Sequence, residues 1–216
     1  IGDHQVNITS GTSPSTANIV ELNNVTIFAH PDLVAPGLVS GINISGQISN
    51  TVGIHNSIIG TFPLGGILTD DNENVTIDYS NIIGGESSIP TDPGNLIYEN
   101  NIDVDPRFRE SENGNYQLLA SSRCINSGAP ELTDIDDTRR DMGAYPYINY
   151  HTGPDWYVSS GSTDYPVFPE ESGWCGGMGE NTCPFASIQA ALNFVGSGDT
   201  IWVLGSQGPY NENIVF

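Results

Sequence analysis

The chain has 216 residues, 26 acidic against 5 basic, for a formal net charge of −21. All five basic residues are arginines (Arg107, Arg109, Arg123, Arg139, Arg140), so no lysine amine is present for Schiff-base chemistry. The acidic balance excludes nucleic acid and anionic membrane as partners, because both need cationic surface to release counterions. No apolar run approaches the roughly 18 residues of a membrane span, and 25 Gly and 14 Pro with 14% charged residues read as all-β and loop-rich rather than helical.

From residue 1 to about residue 108 the chain reads as short strands separated by polar turns. The recurring phrase is Asn, aliphatic, small polar, aliphatic: Asn7-Ile-Thr9, Asn24-Val-Thr-Ile27, Asn43-Ile-Ser45 and Asn74-Val-Thr-Ile77. A second phrase, Asn56-Ser-Ile-Ile-Gly60, returns as Ser80-Asn-Ile-Ile-Gly84, which aligns Ile58 with Ile82. Period-2 alternation recurring at about 20–25 residues is the signature of a solenoid. The pattern predicts a parallel β-helix whose coils stack at about 4.8 Å. Aliphatic rows (Val25, Ile27, Ile42, Ile44, Ile54, Val75, Ile77, Ile102, Val104) would fill its interior, with Asn ladders at the turns.

Residues 102–145 carry five phrases in order: Ile102-Asp-Val-Asp-Pro-Arg-Phe108, Gly114-Asn-Tyr-Gln-Leu118, Ser122-Arg-Cys-Ile-Asn-Ser-Gly128, Asp134-Ile-Asp-Asp137 and Arg140-Asp-Met-Gly-Ala-Tyr145. Together they resemble the C-terminal close of right-handed parallel β-helix proteins of the pectate-lyase-like superfamily. Arg123, Asn126 and Pro146 stand where that pattern has Pro, Asp and Glu. Residues 148–155 read as a linker. Trp156-Tyr-Val-Ser-Ser160, Pro184 to Leu192, Gly198 to Val203 and Tyr210 to Ile214 then resemble the opening of the same fold. A helix over about 187–195 is predicted from the residues themselves. Ser187 can N-cap it, Ile188, Ala191, Leu192 and Val195 share a face, and Gly196 suits its stop. In that architecture such a helix plugs the open end of the solenoid.

The expected organisation is therefore 1–147, coils and closing segment of one β-helix; 148–155, linker; and 156–216, capping helix and first coils of the next unit, completed by residues 1–147 of another copy. The assembly seam falls on Asn213, Ile214, Val215 and Phe216 meeting Ile1, Val6 and Ile8. Copies would join head to tail, either along one polypeptide or by strand exchange.

For chemistry, Asp134, Asp136 and Asp137, or Asp70, Asp71 and Glu73, offer hard oxygen ligands to Ca²⁺, without EF-hand spacing. Structural ion pairs are expected of Arg139 and Arg140 with Asp141 and its neighbours, and a solvated turn at Asp70 to Glu73. Asn7, Asn24, Asn43 and Asn74 form N-x-Ser/Thr sequons open to glycans. Cys175 and Cys183 flank a Gly-rich loop and are expected to pair, leaving Cys124 as a buried thiol. The scattered histidines (His4, His30, His55, His151) read as surface or turn residues. The expectation is an extracellular structural protein, without catalytic residues, building a filament, sheath or surface stalk. The alternative is a carbohydrate-binding or lyase-like β-helix fragment of a cell-surface protein.

Overall fold

A computed structural model describes residues 6–9, 17–29, 40–46, 49–62, 65–70, 73–89, 95–166, 176–205 and 209–215. Within them the protein is predominantly β, with several parallel sheets and a single α-helix, α1 (Ile188–Phe194). Three sheets share the strands of residues 6–102. The first contains β1 (Val6–Thr9), β4 (Ile42–Ser45) and β7 (Ile67–Thr69). The second contains β2 (Ile19–Asn23), β5 (Thr51–His55), β8 (Asn74–Asp78) and β10 (Asn95–Glu99). The third contains β3 (Thr26–Ile27), β6 (Ile58–Ile59) and β9 (Asn81–Ile82), extended by a bridge from Asn81 to Ile102. All pairings are parallel, and the chain visits the three sheets in rotation. This topology is compatible with a β-solenoid.

Why these residues stack follows from the rows. Val20, Val52, Val75 and Leu96 lie in register, as do Leu22, Ile54, Ile77 and Tyr98. Val52, Ile54, Val75 and Ile77 are at most 2% exposed, and they join Ile42, Ile44, Ile59, Ile67 and Ile82 in one apolar core. At the first circuit the same rows end in Val6, Val20, Leu22, Val25 and Ile27, which are only partly buried.

A column of left-handed residues turns the chain from the second sheet to the third. Asn24, Asn56, Tyr79 and Asn100 follow β2, β5, β8 and β10 with φ of 50°, 51°, 46° and 56°. Asparagine tolerates this conformation because its short amide bonds locally. Circuit length varies, from 32 residues between Asn18 and Asn50 to 23 between Ser57 and Ser80 and 21 between Asn74 and Asn95. The turn column also corrects the repeat alignment. Ile58 pairs with Asn81 and Ile59 with Ile82, one residue away from the alignment of Ile58 with Ile82. Asn81 thereby enters the interior fully buried. Its amide donates to the Val104 carbonyl and the Cys124 sulfur and accepts from the Val104 N–H, which removes the penalty for burying it.

The sequon phrase does not mark one repeated position. Asn7 and Asn43 are register partners in β1 and β4, Asn74 begins β8, and Asn24 lies in the turn column. Glu73 is not a solvated turn residue: it is 1% exposed, and its carboxylate accepts from the Asn50 backbone and side-chain amides. The Asn50 side chain in turn accepts from Asn18, so residues 18, 50 and 73 form a ladder at the entry to the second sheet.

After Ile102 the parallel pattern stops. Strands β11 (Phe108–Glu110) and β12 (Asn115–Leu118) form an antiparallel hairpin around a 3-10 turn that ends at Gly114, φ 75°. The following segment, to Tyr147, runs back along the turn column as a strap. Asn24 donates to the Asp141 and Gly143 carbonyls, Asn56 accepts from the Ala129 N–H, and Ala144 donates to Thr26. The prediction that follows is a contrast along one sheet. Ile77→Ala should cost about 2–5 kcal/mol, by the usual penalty of a cavity in a close-packed core. Ile19→Ala, at a side chain 77% exposed, should change stability by no more than about 0.5 kcal/mol. Urea unfolding midpoints of the two variants check this.

Candidate functional site at the junction of the closing and opening segments

The residues that resemble the end of one unit and those that resemble the start of the next pack against each other. Helix α1 is short, and its exposed N–H groups need partners. Ser187 accepts from the Ala190 N–H as expected of an N-cap. Two further carboxylates complete the cap: Glu212 accepts from the Ile188 and Gln189 N–H groups, and Asp164 accepts from Ala186 and Ser187. Both anions also meet the positive end of the helix dipole. The buried residues of α1 are Gln189, Ala190 and Ala191, so the buried face is centred slightly off the Ile188–Ala191–Leu192–Val195 stripe.

Asn193 makes the central contact of the junction. Its amide donates to the Ala120 and Ser122 carbonyls of the strap, at 2.7 and 2.8 Å, and its own carbonyl accepts from the Asn126 side chain. The Ala120 N–H donates to the Asp164 carbonyl, so backbone joins backbone across the same boundary. Behind these bonds lies one apolar cluster built from both sides. Leu118, Ala120, Cys124, Ile125, Met142 and Tyr147 of the strap meet Trp156, Val158, Phe185, Ala190 and Ala191. Phe194 stacks on Phe185 at 5.3 Å and on Trp156 at 5.8 Å, and its ring lies 5.6 Å from that of Tyr147.

Residues 148–155, expected as a linker, are fastened on both sides. Asn149 is 2% exposed; its N–H donates to Asp136 and its amide to the Met178 carbonyl. The Tyr147 hydroxyl donates to the Gly177 carbonyl. Parallel strands β13 (Asp155–Ser159) and β14 (Thr200–Leu204) follow, in register Trp156 to Ile201 and Val158 to Val203. Of the stretch expected to form the first coils of the next unit, residues 211–215 form no strand and lie over the helix, where the Gln189 side-chain amide bonds both the N–H and the carbonyl of Val215. A cavity of about 420 Å³ borders this contact, lined by Ile102, Arg123, Asn126, Leu192, Asn193 and Val215.

Several of the carboxylates expected to hold calcium are engaged within the chain. Asp134 accepts from the Asp141 N–H and lies 3.6 Å from the Arg140 guanidinium. Asp136 accepts from Thr138 and Asn149, while Asp137 is exposed, with φ 63°. The Asp70 carboxylate accepts from the Gly46 N–H and its backbone carbonyl from the Glu73 N–H; Asp71 lies outside the described residues. Among the described residues no three His, Cys, Asp or Glu side chains gather as a metal site.

Arg140 also donates to Asn24 and to the Thr133 carbonyl, tying the strap to the first circuit. Arg139 bonds the Gly128 and Ser127 carbonyls rather than a carboxylate. Asp141, 1% exposed, receives the Asn126 and Tyr147 N–H groups; burial, against those two bonds, raises its pKa to about 7. Burial likewise lifts the Cys124 thiol to about 12, as suits an inert interior sulfur. Cys183 is buried, Cys175 lies outside the described residues, and their pairing stays a proposal. Of the sequons, Asn7 is exposed, whereas the Asn24 amide is committed to the strap, and Asn43 and Asn74 bond neighbouring circuits. Of the seam residues, Asn213, Ile214 and Val215 are exposed, Val6 is partly buried and Ile8 buried; Ile1 and Phe216 lie outside the described residues.

One constellation is not foreshadowed by any sequence motif. On the outer face of the second sheet, His55 Nδ1 lies 2.6 Å from Asp78 and Nε2 2.9 Å from Glu21, a clasp across β2, β5 and β8. Gly53 leaves the space: a Cβ there would collide with both the Glu21 carboxylate and the imidazole. Partial burial works against protonation of His55, but the hydrogen bonds and charges of Asp78 and Glu21 outweigh it and raise the pKa. The clue available in sequence was the alignment of the five-residue strands, which sets Asn23, His55, Asp78 and Glu99 in one outward row.

No protein-family model, curated protein or solved structure matches this chain.

The junction and the clasp each carry a prediction. Asn193→Asp sets a carboxylate against two carbonyls and should cost about 1–3 kcal/mol, the usual penalty for leaving buried hydrogen-bonding groups unsatisfied, read from the urea midpoint. The second concerns pH. The His55 clasp contributes fully below the unfolded histidine pKa of about 6.5 and is lost as pH rises through the higher folded value. Asp141 binds its proton more tightly when folded, so its contribution also falls as pH rises from about 4 to about 7. The melting temperature should therefore be higher at mildly acidic pH than at pH 8, and His55→Gln should flatten the upper part of that slope.

Proposed function

We propose that this chain is a structural module of an extracellular assembly: a right-handed parallel β-helix unit, of the pectate-lyase-like kind, joined head to tail to further copies in a filament, sheath or surface stalk. The observation that carries the reading is the junction. Sequence that resembles the close of one unit and sequence that resembles the opening of the next share one apolar cluster and one set of hydrogen bonds around Asn193. A rigid joint of that kind transmits load between successive units, whereas a free linker would not.

The rotation of the chain through three parallel sheets supports the β-helix part of the reading, as does the column of left-handed turn residues. The half-buried first circuit supports the assembly part, since among the described residues its apolar rows have no strand below them. A net charge of −21 keeps assembled copies solvated and laterally apart. The Cys175–Cys183 disulfide belongs to the same proposal, as a staple of the opening segment in an oxidising environment.

Light scattering and negative-stain electron microscopy of the purified chain test this reading. Mass should grow with concentration into open-ended linear particles, and growth should strengthen with added salt, because screening removes repulsion between acidic copies. A monodisperse monomer at every concentration and salt would overturn the assembly.

A further inference from the structure

We infer that β14 of one copy and β1 of another are the two edges that join, forming one continuous parallel sheet in which Ile201 meets Val6, Trp202 meets Asn7, Val203 meets Ile8 and Leu204 meets Thr9. This deepens the head-to-tail reading and rests on it.

Three observations select these edges. The first is that both lie at the margin of a parallel sheet. β1 pairs with β4 on one side only, and β14 with β13 on one side only, among the described residues. An open edge leaves a row of unpaired N–H and C=O groups, which proteins ordinarily guard with charge or proline. Neither Val6-Asn-Ile-Thr9 nor Thr200-Ile-Trp-Val-Leu204 contains a charged residue or a proline. In a chain of net charge −21 these are edges that two acidic copies can bring together without placing carboxylate on carboxylate. β2, the neighbouring edge, carries Glu21 at its centre.

The second is that each edge holds an unfinished apolar row. Ile201 and Val203 share the inward face of Trp156 and Val158, which are 2% and 0% exposed, yet Val203 remains 46% exposed. On the other edge Val6 is partly buried, while its register partner Ile42 is fully covered. Placing Val203 under Ile8 and Ile201 under Val6 continues both rows on the same side.

The third is parity and polarity. β1 alternates with Val6 and Ile8 inward and Asn7 and Thr9 outward; β14 alternates with Ile201 and Val203 inward and Trp202 and Leu204 outward. A four-residue parallel pairing satisfies both alternations, whereas a slip by one residue would turn one row to the wrong face. The order β13, β14, β1, β4, β7 then advances in one direction. The contact uses two different surfaces, so it does not close on itself and generates a linear polymer.

The test uses the whole chain in two single-cysteine additions, Leu204→Cys and Thr9→Cys, mixed and treated with a short thiol crosslinker. Both positions are exposed, and circular dichroism confirms folding. The proposal expects a crosslinked heterodimer from this mixture at several-fold higher yield than from Leu204→Cys mixed with Asn23→Cys, which reports pairing of β14 with β2. It also expects Val203→Lys, a guard charge on the edge, to weaken self-association by about tenfold or more. Self-association by light scattering without the Leu204–Thr9 crosslink, or with preferential crosslinking to position 23, would overturn the proposed edge while leaving the head-to-tail reading intact. Absence of self-association would overturn both.

Discussion

A parallel strand satisfies its backbone only through the strands above and below it. This constraint governs the molecule. In the interior of the stack β4, β5 and β6 each have a parallel neighbour on both sides, and the side chains beneath them fall into rows that exclude water. The arrangement supplies no way to end itself. Whatever lies at the first and last circuits has to cover an apolar row and a file of unpaired amides, or leave them for another chain.

The late end is covered by abandoning the parallel pattern. After Ile102 the chain makes an antiparallel hairpin and then returns along the left-handed turn column, committing the side chains of Asn24, Asn56 and Asn81 to the strap and its approach. The strap in turn supplies the apolar surface on which Phe185, Phe194 and Trp156 stack. The early end has no such cover among the described residues: Val20, Leu22, Val25 and Ile27 stay half-buried and Ile19 is exposed. The asymmetry is what the head-to-tail proposal draws on. One end makes a joint, and the other presents the open margins of parallel sheets among the described residues.

What sequence disclosed and what it hid divide along the same physical line. The aliphatic rows and the helix cap at Ser187 depend on local periodicity, and they were legible. The register at Ile58 was not, because it is fixed by where Asn56 and Tyr79 turn the backbone rather than by the matching Ile-Ile pairs. Tyrosine gives no hint of a left-handed position. Glu73 sat in an acidic run that looked solvated; only the stacking of circuits sets it over Asn50. The His55 clasp joins residues 23 and 34 positions apart, and Glu212 caps a helix 24 residues before it. None of these contacts leaves a local trace, since the circuit lengths that bring them together vary from one turn to the next.

Charge acts on the same two ends. The acids are not spread evenly over chemistry and surface: Glu73, Asp134, Asp136, Asp141, Asp164 and Glu212 each accept backbone N–H groups and act as fasteners. Among the described residues these carboxylates share the fastening of turns and the helix end with Ser187, Asn24 and Asn56. At two of them, Asp134 and Asp141, burial favours the neutral form and raises the pKa. With self-repulsion declining on the same side of neutrality, the balance of stability and association is set by acid, salt and the two uncharged edges that the negative surface leaves open.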